Sequence, residues 1–422
     1  MTTAKILVVM AGLTIGGVAV AGGPETTDSN RAYAAEMKAD AALRTSNLNG
    51  SNSGLILADG GDTSVKLGGF AQFRYINNFR DNPPNATSGS FHDSGYTNGF
   101  EATRTRLEVT GNIISKALTF KVDSDFNKSG DASLKDAWGQ YAFDNGVKVK
   151  WGQFKLPVLR EELVADVNQL AIDRSIVNTI FTQDRSQGIQ AAYEQDQWRI
   201  LGALSDGLQT LNTDYTSSAE ADYAFSGRGE FKWGDDWKRF ADFTSWRGQS
   251  NAGLIGVAAH YQHSGNTASA GNNAEKVDLI QYTADFSLEG NGWNLFVAGV
   301  GRHSEPSGTN TASTLDDFGF VVQGGVFVND QIELFARYDG VFVDSDYGNG
   351  IDDTFNTLAG GVNYYVFAQS QAFKISADVQ YFVDEVSSNV LVSGVSGSNN
   401  NALRFDGEGG QFAVRLQVQL VF

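Results

Sequence analysis

Residues 411–422 alternate strictly along an extended chain. Phe412, Val414, Leu416, Val418, Leu420 and Phe422 fall on one face, and Gln411, Ala413, Arg415, Gln417, Gln419 and Val421 on the other. A strand with one apolar and one mostly polar face, closing a chain on an aromatic residue, fits two settings. It is either half-buried in a soluble sandwich or the last strand of a barrel whose apolar face meets lipid and whose polar face meets water. The longest apolar run, 6–20, is shorter than the roughly 20 residues that cross a bilayer as a helix, which excludes a helical membrane protein. The 28 Phe, 14 Tyr, 7 Trp and 48 Gly against 5 Pro and 0 Cys suit a long antiparallel β protein with aromatic interfaces and no disulfides. No change of composition after residue 64 marks a linker, so 65–422 reads as one large β unit.

The first residues set the compartment. Lys5, the apolar stretch 6–20 and Ala19-Val20-Ala21 have the order of a secretory signal, so 1–21 is expected to be a signal peptide. The segment 22–64 is polar, and Asp28 and Ser29 are placed to cap a short helix carrying Tyr33 and Met37 on one face. That segment is expected to be a periplasmic tether, or else a small coiled-coil contact.

From residue 65 the chain reads as about sixteen strands, the first near 65–77 and the last at 410–422, an even number as single-chain barrels require. Connections alternate between short and long. Asp144-Asn145, Gln195-Asp196, Glu289-Gly290 and Asn329-Asp330 are tight turns, whereas 78–99, 155–186, 205–222, 263–275, 303–315, 343–354 and 384–409 are long. One connection, 234–252, breaks the rule by being long on the short-turn side. The expected fold is all-β: a closed antiparallel transmembrane β-barrel with short turns toward the periplasm, long loops outside, and a position in the bacterial outer membrane against lipid.

Parity within the strands then assigns the charges. In 331–342, Ile332, Leu334, Tyr338 and Phe342 share a face opposite Glu333, Arg337 and Asp339. A charge facing lipid at mid-depth costs roughly 2–4 kcal/mol, so the charged face is the lumen, and a barrel of this size leaves an aqueous channel for small inorganic or organic ions. The same parity turns Arg74, Arg104, Arg106, Lys148, Lys150, Arg228, Lys232, Arg337, Lys374 and Arg415 inward, together with Glu108, Asp123, Asp125, Glu230, Glu333, Asp339 and Asp378. The third long connection, 155–186, has Leu163, Val167 and Leu170 at helical spacing amid dense charge of both signs, and is expected to fold partly as helix into the lumen. Lys155, Arg174 and Arg185 in and beside it would then join Arg74, Arg104, Arg106, Lys148, Lys150, Arg228 and Arg337 as pore-lining, anion-contacting groups. Two uses of these cations stay open. Arginines that fork onto oxyanions would select anions, whereas Arg–carboxylate pairs would cancel that field and set the pore width.

Other chemistry is poorly supported. Of the four histidines only His260 and His263 are closely spaced, and they read as rim residues; no catalytic group, metal site or cofactor is expected. The 344–353 segment lacks the closing glutamate of a calcium loop and reads as a turn. The net charge of −18 argues against nucleic acid. Alternatives to a pore for small hydrophilic solutes are a general unselective porin and a closed structural or adhesive barrel.

Arg104-Thr105-Arg106-Leu107, Asp136-Ala137-Trp138, Gly152-Gln153-Phe154-Lys155 followed by Pro157 and Glu161, Asp173-Arg174-Ser175 and Asp184-Arg185-Ser186-Gln187-Gly188-Ile189 occur in that order. In this the chain resembles the phosphate-selective porin O and P family, continuously over 65–189 and more thinly to Phe422. The resemblance implies a sixteen-stranded, usually trimeric porin with an infolded third loop and a basic lumen that conducts anions such as phosphate. Thr103-Arg104-Thr105-Arg106 replaces the adjacent arginines often seen in that family. The terminal Phe422 is expected to be the signal read by the barrel assembly machinery.

Overall fold

The computed structural model describes residues 55–83, 95–127, 129–265, 277–306, 313–348, 352–396 and 401–422. The signal peptide 1–21 and the short helix of segment 22–64 lie outside the described residues. The strands in chain order are β1 (Leu55–Asp59), β2 (Ser64–Phe79), β3 (Tyr96–Asn112), β4 (Leu118–Phe126), β5 (Ala132–Ala142), β6 (Val147–Lys155), β7 (Arg185–Glu194), β8 (Trp198–Ser205) and β9 (Tyr223–Trp233). They continue with β10 (Ala252–His263), β11 (Val277–Gly290), β12 (Trp293–Pro306), β13 (Leu315–Phe327), β14 (Ile332–Phe342), β15 (Thr354–Tyr365), β16 (Phe373–Phe382) and β17 (Phe412–Val421). Among the described residues three short α-helices accompany them: α1 (Arg160–Leu163), α2 (Ile176–Phe181) and α3 (Val390–Val395).

Each strand from β2 onward pairs antiparallel with the next, and β17 pairs back onto β2 from Phe412↔Phe79 to Val421↔Phe70. With β1 set aside, the remaining sixteen of the seventeen strands form a closed ring. Closure removes the two edges whose unpaired N–H and C=O groups lipid cannot solvate. The tight turns carry the chemistry their residues offer: Asn145 Oδ1 accepts from Val147 N–H at 3.1 Å, and Asn329 Oδ1 accepts from Gln331 and Ile332 N–H, both at 2.9 Å.

One strand was not foreseen. The barrel was expected to begin at residue 65, yet β1 forms within 22–64 and pairs with the start of β2, Leu55↔Leu67 to Asp59↔Ser64. The cause lies at the other terminus. The ladder between β17 and β2 ends where Gly69 and Phe422 exchange N–H···O bonds of 2.9 and 3.0 Å. Beyond that point β2 would show a bare edge, which β1 covers. Its sequence, Leu-Ile-Leu-Ala-Asp, has no alternation to announce it.

Burial follows parity around the ring. On β14, Glu333, Arg337 and Asp339 are at most 3% exposed, while Leu334, Tyr338 and Phe342 are 40–45% exposed. On β17, Arg415, Gln417 and Gln419 are buried while Val414, Leu416 and Leu420 are exposed. A bulge keeps charged residues in phase: Thr103 is the extra residue opposite Gln72 and Phe73, so Glu101 and Arg104 both face inward with Arg74 and Gln72. His260 corrects the rim assignment. It is buried on the inner face of β10, where the imidazole shares a 2.8 Å hydrogen bond with Ser226 on β9 and a 3.2 Å one with Gln262.

The wall is uneven: β4, β6 and β8 have nine, nine and eight residues, whereas β10 to β13 have twelve to fourteen. The closing seam depends on a small residue, since a Cβ on Gly69 would sit 2.2 Å from the Arg106 carbonyl oxygen and 3.2 Å from the Phe422 ring. Gly69→Ala is therefore expected to destabilise the barrel by about 1–3 kcal/mol, the usual range for overpacking, read as a lower denaturant midpoint of the heat-modifiable form. An unchanged midpoint would show that the seam relaxes freely.

Candidate functional site in the barrel interior

The inner wall and segment 155–186 make one structure. The segment is partly helical, at α1 and α2, but of the apolar residues at helical spacing only Leu170 is fully buried, while Leu163 and Val167 are half-buried. Ser175 caps α2 by accepting from Asn178 N–H at 2.9 Å. The segment's apolar side chains, among them Leu156, Val158, Leu170, Ile176, Val177 and Phe181, are buried in one cluster with inward-facing Phe296, Val321, Phe335 and Phe355 of the wall. Their packing fixes the segment against β11 to β15.

Irregular backbone at membrane depth must find partners inside the protein. The wall supplies them. Arg228 donates to the Val158 carbonyl at 2.9 Å, Lys374 to Val167 and Gln169 at 3.2 and 3.1 Å, and Asn363 to Leu170 at 2.9 Å. Arg337 donates to the Asp173 carbonyl at 2.7 Å and Gln281 to Phe181 at 2.8 Å. Much of the inward basic character is thus spent on capping carbonyls.

Asp173 is the hub of the segment. Its carboxylate takes a bidentate pair of 2.7 Å bonds from Arg74 on β2, a 2.7 Å bond from Arg415 on β17 and a 3.3 Å bond from Arg104 on β3. Arg415 in turn forks onto Asp378 at 2.8 and 2.6 Å. One carboxylate therefore spans the seam that closes the ring. Burial alone would raise its pKa, but Arg74, Arg415 and Arg104 outweigh that and hold it below the usual carboxylate range.

Nine of the ten cations expected to contact anions are paired with carboxylates. Arg74, Arg228 and Arg337 are buried, with Arg228 held at 2.8 Å by both Glu230 and Asp285 and Arg337 at 3.0 Å by Asp339, so they fasten the segment and wall instead of facing solvent. Arg106 bridges Asp125 at 3.1 Å and Asp166 at 3.0 Å, while Arg174 is bound by Glu162 and Asp166. Lys155 meets Glu162 at 2.8 Å, Arg185 meets Asp136 at 3.2 Å and Lys148 meets Glu194 at 2.8 Å. Lys150 differs. Its ammonium lies 4.8 Å from the Trp138 ring centroid and 5.5 Å from that of Phe154, and it makes no ion pair or hydrogen bond among the described residues.

Four residues escaped the list drawn from sequence. Asp173 looked like one charge among many, and no spacing signals that three strands converge on it. Lys121, bound by Glu108, Asp123 and Asp136 at 2.7, 3.1 and 3.3 Å, has inward parity on β4 and was legible from that. Arg199 also shares the inner face, pairing with Glu230. Arg160, in α1, is buried between the wall and the 234–251 turn, which no local pattern reveals.

Asp173→Ala would leave Arg74 and Arg415, both fully buried, without their shared acceptor. Removing one partner of a buried pair costs about 3–5 kcal/mol, so a large fall in denaturant midpoint and faster proteolysis within 155–186 are expected. Because the folded-state pKa is depressed, this contribution is complete above the unfolded value of about 3.9 and is lost only as pH falls through the folded one, so the wild-type midpoint should not drop on its account between about pH 7 and 5.

The sequence profile of the family described as phosphate-selective porin O and P matches residues 85–383, more than half of the chain. A search of curated proteins returned no significant match. Among solved structures the chain is similar to OmpT of Vibrio cholerae, at 12% identity and a TM-score of 0.58 over 87% of this chain and 100% of that one. It is likewise similar to the outer membrane channel DcaP of Acinetobacter baumannii, at 12% identity and 0.57 over 87% and 99%. For Salmonella typhi OmpF the values are 10% identity and 0.54 over 87% and 100%. At these identities the likeness establishes the fold alone, and descent rests on the family match. By that match the chain belongs to the phosphate-selective porin O and P family and is a channel protein of the bacterial outer membrane.

Proposed function

We propose that solutes cross between segment 155–186 and the inner face of β3 to β8, and that small anions, inorganic phosphate among them, pass more readily than cations. Inward charges on this part of the wall keep solvent access: the Lys148, Arg199 and Lys121 side chains are 34%, 27% and 22% exposed, against 0–3% for Arg228, Arg302, Arg337 and Arg415 on the opposite side. Lys150 carries the anion reading. A cation with no ion pair among the described residues, near Asp136 but also near Lys121, Arg199 and Lys148, attracts a mobile anion into the path. A second reading, a weakly selective general porin, is favoured by the pairing of Lys121 with three carboxylates, which cancels much of the local field.

The reversal potential of the purified protein in a planar bilayer under a KCl gradient separates them. Anion preference that moves toward cations in Lys150→Glu supports the first reading; a near-zero potential unaffected by Lys150→Glu supports the second. Absence of any conductance would leave a closed barrel. A homotrimer is the assembly expected, supported by the trimer form described for Vibrio cholerae OmpT. Phe422, whose backbone seals the seam with Gly69, is the group the assembly machinery would read. Phe422→Asp should then yield protease-sensitive periplasmic protein, and a normal yield of heat-modifiable barrel would rule that role out.

A further inference from the structure

Joining two antiparallel strands takes a few residues, as 291–292 and 328–331 do on the short-turn end. The connection between β9 and β10 runs from 234 to 251 and meets neighbouring turns at Gln195, Asn291 and Val328, but its apolar side chains do not stay on the rim. It turns inward. Phe240 packs on Ala252 and Leu254 of the inner wall, and Phe243 packs at a tilt on Phe296 with centroids 4.8 Å apart. Trp246 lies 5.4 Å from the Phe327 ring and 4.7 Å from that of Tyr365. Phe240, Phe243 and Trp246 are all under 5% exposed, so the added length serves to fill the short-turn end of the barrel.

The same turn meets segment 155–186. Phe243 N–H donates to the Asn168 carbonyl at 3.2 Å, and Asn168 Nδ2 donates back to the Ala241 carbonyl at 3.0 Å. Arg160 donates to the Phe240 carbonyl at 2.7 Å and to Ser287 on β11 at 3.1 Å, with its guanidinium over the Phe243 ring at 5.5 Å. No carboxylate pairs with Arg160 among the described residues, so its donors are committed to this joint. The Arg160 guanidinium and the Phe240 carbonyl are buried and would be stranded away from water if the two segments parted.

We propose that the 234–251 turn is an inner floor that positions segment 155–186, with Arg160, Asn168 and Phe243 as positioning residues, and that it thereby sets the width and steadiness of the conducting path. The inference rests on the channel itself and not on its ion preference. Segment 155–186 is then held at two levels, by Asp173 across the ring's seam and by the turn at the short-turn end. Loss of the second anchor leaves the ring closed while the segment gains freedom.

Single-channel recording tests this on the full-length protein. Phe243→Ala and Arg160→Met are expected to raise open-channel noise and change conductance by about twofold, as movement of a constriction element does, while Phe243→Leu behaves as wild type. Should either variant reduce the yield of heat-modifiable barrel, a cysteine pair decides. The chain has 0 Cys, and Asn168→Cys with Phe243→Cys places two thiols on residues whose backbones share a 3.2 Å hydrogen bond. The oxidised pair should give quiet currents of wild-type size that become noisy on reduction. Folded variants with wild-type conductance and noise, or a cysteine pair that stays unlinked under oxidant, would overturn the proposal.

Discussion

No water reaches the hydrocarbon core of a membrane, so every backbone N–H and C=O there must find its partner within the protein. That requirement orders the whole molecule. It closes β17 onto β2 and recruits β1 to the stretch of β2 that β17 leaves uncovered. It also governs the interior, where the irregular backbone of 155–186 is acceptable only because Arg228, Lys374, Asn363, Arg337 and Gln281 donate to its carbonyls.

The consequence for function is a division of labour among groups that look alike in sequence. On the β9 to β17 side, Arg228, Arg337 and Arg415 are buried and act as struts, their charge balanced by Asp285, Asp339 and Asp378 and shielded from solvent. On the β3 to β8 side, shorter strands carry cations that keep partial access to water. Counting lumen-facing arginines is therefore a poor guide to selectivity. The relevant quantity is charge that is not cancelled by a carboxylate, and among the ten cations expected to contact anions Lys150 alone has no carboxylate partner among the described residues.

Glycine makes a complementary contribution in the family-like motif Gly152-Gln153-Phe154. Gly152 has φ of +114°, and a Cβ there would lie 2.2 Å from the Ala137 carbonyl oxygen. Only glycine accommodates both, which keeps β6 tight against β5 and holds Trp138 and Phe154 where they flank the Lys150 ammonium.

The sequence by itself determined the ring. Period-two alternation, turn residues such as Asn145 and Asn329, and alternating loop lengths are local signals. Lipid on one side and water or protein on the other force each strand to display its parity, so the sixteen ring strands and their inward faces were legible, Glu333, Arg337 and Asp339 included. What tertiary structure alone decided is which inward charges meet. Arg74, Arg104 and Arg415 lie on three strands, two of them at opposite ends of the chain, and converge on Asp173 only because the ring closes and the segment enters it. The same holds for β1, whose reason is a bare edge created by the far terminus, and for Arg160, whose partners belong to a turn some eighty residues away. Such pairings carry no local period, because they are set by the closure of the barrel and the shape of the space it encloses.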